Sequence, residues 1–125
     1  MKKIILSFIF LCLIPLTVTA PTQGLATDSV YYSEFIEDLP MMADMVEEQD
    51  NVVIFDKPSG RIIELKVETK HSQTEVLEFY NGILFNLGWK KLKKNRFLKD
   101  DEILSVIPEM RGKKTIVHFT LRPKN

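Results

Sequence analysis

SQTEVLEFYNGILFNLGW, residues 72–89, is the stretch that decides the fold. Ser72 stands at an N-cap position, and Glu75 follows three residues later. The pair forms a capping box, in which the hydroxyl and the carboxylate each satisfy a backbone N–H that the first helical turn leaves orphaned. Val76, Phe79, Tyr80, Ile83, Leu84 and Leu87 then recur at offsets that fall on one stripe of a 3.6-residue helix. Gly88 follows the last of them, as a left-handed C′ residue would, and Trp89 can fold back onto the helix end. Gly82 lies mid-helix, where it costs about 1 kcal/mol against Ala. Close packing at that point is therefore expected. The stripe itself reads as the core face of a helix lying on a sheet.

Strand signals flank the helix on both sides. Asn51–Phe55 is a β-type run, and Asp56-Lys57-Pro58-Ser59-Gly60 carries turn chemistry. Arg61–Glu68 alternates, with Ile63, Leu65 and Val67 on one face and Glu64, Lys66 and Glu68 on the other, as in a half-buried antiparallel strand. The two runs make a hairpin. Its Pro-Ser-Gly tip lacks the glycines, the Lys-Ser/Thr ending and the following helix of a phosphate loop. Beyond the helix, short strands are expected around Trp89–Leu92, Arg96–Lys99 and Glu102–Ile107, the last stopped by Pro108. Thr115–Leu121 is expected as the final strand. Hairpin, central helix and antiparallel β-meander define an α+β class, a ββαβββ-like two-layer sandwich over residues 51–123.

A length of 125 residues allows one domain, and the composition is that of an ordinary globular chain. The formal charge of zero hides an asymmetry. Residues 21–56 hold nine acidic residues and no Lys or Arg, whereas residues 57–125 hold fifteen basic and eight acidic ones. The acidic front is expected to lie on the basic back. Within residues 21–50, Phe35, Ile36, Leu39, Met42, Met45 and Val46 recur at helix-like spacing broken by Pro40. Short helical turns are expected there, with the methionines sealing one edge of the core.

Residues 1–20 read as a secretory signal peptide. Lys2 and Lys3 precede the apolar run Ile4–Leu16, which is too short to span a bilayer, and Val18-Thr19-Ala20 supplies a cleavage site. Pro21 disfavours that cut, and Gly24-Leu25-Ala26 offers a second after residue 26. The expected location is the periplasm or the medium, or the inner membrane if the segment is retained as an anchor. Cys12 is the only cysteine. Phe10 and Leu11 before it do not suit lipid attachment, and a processed chain would hold no disulfide.

No catalytic constellation stands out. His71 and His118 lack partners at zinc spacing, no nucleophile elbow is present, and Asp100-Asp101-Glu102 reads as a turn. No metal or cofactor is implied. The most unusual feature is the basic run Lys90, Lys91, Lys93, Lys94 and Arg96, beside Trp89 and Phe97. It suits anionic lipid headgroups or an acidic protein partner in the cell envelope better than nucleic acid, for which no recognition motif is present. The bland reading is a solvated hairpin that guards a sheet edge with lysines. A rival expectation is a ligand carrier or small hydrolase, with an apolar pocket between Met41–Met45 and Trp89 built from Met42, Met45, Phe79, Tyr80 and Trp89.

DLPMM, VVIFDKPSGRIIE, the S-x-x-EVLEFY…LGW core and the later F-x-K-D-D-E-x-L-x-V stretch together resemble a group of small uncharacterised exported bacterial proteins. The likeness spans residues 35–123. FY…LGW alone recurs in several envelope modules, and its combination with DKPSGRI is more specific. The resemblance implies an export signal and the hairpin–helix–meander order. It implies no activity and carries over no catalytic residue.

Overall fold

The computed structural model describes residues 30–125; the expected signal segment, Cys12 and both expected cleavage sites lie outside them. The described chain is α+β. A two-stranded ribbon pairs β1 (Tyr31–Tyr32) with β2 (Pro40–Met41), and a short 3-10 turn, Gln49–Asn51, leads into the main sheet. That sheet holds β3 (Val52–Lys57), β4 (Gly60–Thr69), β5 (Lys90–Lys91), β6 (Arg96–Lys99), β7 (Glu102–Arg111) and β8 (Lys114–Pro123), with α1 (Gln73–Asn86) between β4 and β5. The spatial order is β3-β4-β8-β7-β6-β5, all antiparallel.

The helix ends form as the sequence dictates. Ser72 Oγ accepts from the Glu75 N–H at 3.2 Å, and Glu75 Oε2 accepts from the Ser72 N–H at 2.7 Å. At the other end Gly88 has φ +89°. Its N–H bonds Phe85 O, and the Trp89 N–H bonds Leu84 O, which is a Schellman closure. Trp89 is thereby turned back and buried. Gly82 departs from expectation. It is exposed, and a Cβ there would meet nothing within 4 Å, so no close packing accounts for it.

The helix stripe and one face of the sheet make the core. Val76, Tyr80 and Leu84 are completely buried, and Phe79, Ile83 and Leu87 flank them. Cross-strand register sets Phe97, Leu104, Leu121 and Ile63 in one row and Val106, Phe119, Leu65 and Val52 in the next. Tyr80 meets Phe119 edge-on at 5.2 Å between ring centroids. Each fully buried aliphatic side chain contributes about 1.5–3 kcal/mol relative to exposure. Alternation then sends Glu64, Lys66, His118, Thr120 and Ile107 to the other face, which no second layer covers among the described residues.

Two segments differ from expectation for a visible reason. Pro108 does not stop β7 but lies inside it, opposite Val117. The Val106 N–H bonds Asn95 O on the β6 side, so position 108 points the same way, and β6 has already ended there. A missing N–H on that open side breaks no ladder bond. Residues 30–48 form no α-helix. Pro40 belongs to β2, bends and turns occupy the rest, and Ile36, Leu39, Met41, Met42 and Met45 point into the core.

The methionines thus seal the core, and the acidic front docks mainly through apolar contact. Its polar ties to the rest are few. Asp44 accepts from the Thr69 hydroxyl and the Lys70 N–H, and Asp38 lies 3.6 Å from Lys99 Nζ. Glu47 instead serves its own segment, accepting from Tyr31, Ser33 and the Glu34 N–H.

Candidate functional site

The β5–β6 hairpin forms one end of the sheet. Its strands pair through Lys90 with Leu98 and Lys91 with Phe97, and Leu92 N–H bonds Arg96 O at 2.7 Å. Lys94 and Asn95 take left-handed φ values of 58° and 57°, which turns the chain tightly between the two strands. Lys90, Lys91, Lys93 and Lys94 are exposed, and Arg96 is half-buried with its Nε donating to Lys93 O at 3.3 Å. None of the five forms an ion pair with another described residue. Two lysines on a two-residue strand suffice to guard its edge. Lys93 and Lys94 lie beyond that strand, on the turn.

Behind the hairpin, Lys99 Nζ sits 5.9 Å from the Trp89 ring centroid while pairing with Asp38. This ties the hairpin base to the acidic front. The residues expected to form an apolar pocket are core residues. Met42, Met45, Tyr80 and Trp89 are buried, Phe79 packs edge-on against Tyr80 at 4.9 Å, and the Tyr80 hydroxyl donates to Met45 Sδ at 3.5 Å. Burial pushes the Tyr80 phenol well above its usual pKa. Trp89 alone among the five borders a cleft, of about 150 Å³, shared with charged residues such as Glu37, Asp100 and Glu102. A larger cleft of about 460 Å³ runs along the second half of β4, between Lys66 and Glu68 on one side and Asp44, Val46 and Glu48 on the other. Its lining is mixed and charged, unlike the apolar wall of a carrier site.

Each histidine has carboxylate neighbours. His118 Nε2 lies 3.1 Å from Glu109 Oε2 on the open face. His71 lies between Asp44, at 3.7 Å, and Glu75, at 3.5 Å, where the acidic front meets the start of α1. Burial alone would raise the pKa of Asp44. Hydrogen bonds from the Lys70 N–H and the Thr69 hydroxyl, with His71 nearby, hold it below the ordinary carboxylate value instead. Glu75 is lowered as well, chiefly by the Ser72 N–H of the capping box. No three His, Cys, Asp or Glu among the described residues group as metal ligands.

β3 forms as expected in the first hairpin, but its place at the border of the sheet was not anticipated. A continuous Val52-Val53-Ile54-Phe55 run resembles a strand buried on both faces. In the fold β3 pairs only with β4, and Val53, Ile54 and Phe55 are about half exposed. Only the charged end of the strand, Asp56 and Lys57, and the adjacent turn residue Pro58 hinted at an edge.

The chain matches no protein-family model, no curated protein and no solved structure.

Proposed function

We propose that this chain is a non-enzymatic binding domain of the bacterial cell envelope, exported by its N-terminal segment, and that its lysine-rich hairpin docks on anionic lipid headgroups. One observation carries the reading: four exposed lysines and the half-buried Arg96 crowd one short hairpin and have no ion-pair partner among the described residues. Unneutralised, flexible ammonium groups suit a fluid, negatively charged surface, where each contributes about 1 kcal/mol. The apolar side chains beneath the hairpin are committed to packing, which supports a surface contact in place of an enclosed ligand site. No helix among the described residues is long and apolar enough to cross a membrane.

The test is co-sedimentation with phosphatidylglycerol vesicles at low and high salt, with phosphatidylcholine vesicles as the reference. The parent is expected to bind anionic vesicles only, with affinity falling as salt rises. Replacing Lys90, Lys91, Lys93 and Lys94 together by Glu is expected to abolish binding while leaving the circular dichroism spectrum and melting temperature unchanged. Equal binding by parent and variant, or no binding by the parent, would overturn the proposal. Capture of an acidic protein by the same lysines without vesicle binding would reassign the surface to a protein partner.

A further inference from the structure

We infer that the free edge of β3 pairs with β3 of a second copy, giving a closed two-fold dimer with one continuous twelve-stranded sheet. The edge is six residues long and apolar over its first four, with Val53 and Phe55 toward the open face and Val52 and Ile54 toward the helix face. An unpaired strand of this kind, with no proline or charge in its first four residues, is a template for another strand.

Three observations choose a second copy as the occupant. First, the edge is self-complementary. In an antiparallel pairing centred on Ile54, Ile54 faces its own copy, and Val53 faces Phe55 of the other chain on both sides of the axis. Second, the two ends of the edge carry opposite charge. Lys57 stands at one end, Glu48 and Asp50 at the other, and none of the three forms an ion pair among the described residues. Centred pairing puts Lys57 opposite Asn51, beside Glu48 and Asp50 of the other chain, on both sides of the axis. Third, the other end of the sheet cannot propagate the pairing. β5 is two residues long and both are exposed lysines, so strand addition stops at two copies. The lysine hairpins then lie at the two far ends of the joined sheet, independent of the pairing itself.

An interface built on one strand pair lies at the small end of specific interfaces, below about 1,200 Å², so a weak, concentration-dependent dimer is expected. Sedimentation of the purified full chain reads this directly. Ile54→Lys, which would oppose two lysines on the axis, should weaken association at least tenfold, with the circular dichroism spectrum retained because Ile54 is already half exposed. In a Cys12→Ser background, Ile54→Cys should form a disulfide-linked dimer under mild oxidation much faster than Phe85→Cys, which is exposed on the far side of α1. The hairpin variant with four Glu residues should dimerise like the parent, which separates this inference from lipid binding. A chain that stays monomeric up to about 1 mM, the weak end of the affinity scale, an unaltered dimer in Ile54→Lys, or equal cross-linking at positions 54 and 85 would overturn it.

Discussion

Neighbouring residues on α1 give the sharpest test of how helix and sheet are joined. Leu84 is fully buried between the helix and the sheet, whereas Phe85 is 76% exposed. Leu84→Ala removes a core side chain from a site walled by rigid strands, where large-to-small changes cost about 2–5 kcal/mol. Taking about 3 kcal/mol, and a shift of about 4–8 °C per kcal/mol for a domain of this size, the melting temperature should fall by roughly 12–24 °C. The urea midpoint should fall by about 1–3 M, for a slope of about 1–3 kcal/mol/M. Phe85→Ala removes a larger side chain from solvent. It should change stability by less than about 0.5 kcal/mol, with the better helix propensity of Ala favouring a slight gain. Urea titrations followed by far-ultraviolet circular dichroism measure both. Equal losses in the two variants, or a Leu84→Ala loss below about 0.5 kcal/mol, which is the surface-substitution range, would refute the placement of the stripe.

Two glycines should respond in opposite senses to the same change. Gly82→Ala should stabilise by up to about 1 kcal/mol, since it meets open space in a helix interior. Gly60→Ala should destabilise by about 1–3 kcal/mol, because φ is +134° and the new Cβ would lie 2.7 Å from Pro123 Cγ; thermal melts that rank them the other way would contradict both environments. The lowered pKa of Asp44 sets an acid-side dependence. A carboxylate whose folded pKa lies below its unfolded value, near 4, contributes fully above that unfolded value and loses its contribution as pH falls through the folded one. The parent should therefore hold its melting temperature down to about pH 5 and lose it increasingly below about pH 4. Asp44→Asn should melt lower at pH 7 and show a shallower acid decline; parallel pH profiles would exclude this role for Asp44.

The legible parts of the fold are those whose partners are close in sequence. Ser72 and Glu75 satisfy one another across three residues, and Gly88 and Trp89 close onto carbonyls three and five residues back, so both helix ends could be read directly. The alternation of β4 likewise states which side chains are buried. The position of β8 between β4 and β7 rests on pairing across some fifty residues, such as Leu65 with Phe119, and no local pattern encodes it. Pro108 was opaque for the same reason: it is harmless only because β6 stops short, which is a fact about a neighbouring strand. Among residues 30–48 the spacing of apolar side chains mimicked a helix, but the segment meets the core through a short ribbon and bends. The lysine hairpin was visible in composition. The exposed edge at Val53–Phe55 was not, because an apolar run looks the same in the middle of a sheet as at its border.

The most direct measurement of the central claim is amide chemical-shift mapping of the labelled protein titrated with anionic nanodiscs. Shifts and line broadening are expected to centre on Lys90–Arg96, to be absent with zwitterionic nanodiscs, and to fade near 1 M salt, where the screening length falls to about 3 Å. Perturbations centred elsewhere, equal with both lipids, or absent altogether would contradict the assignment of the hairpin as the membrane-contacting surface.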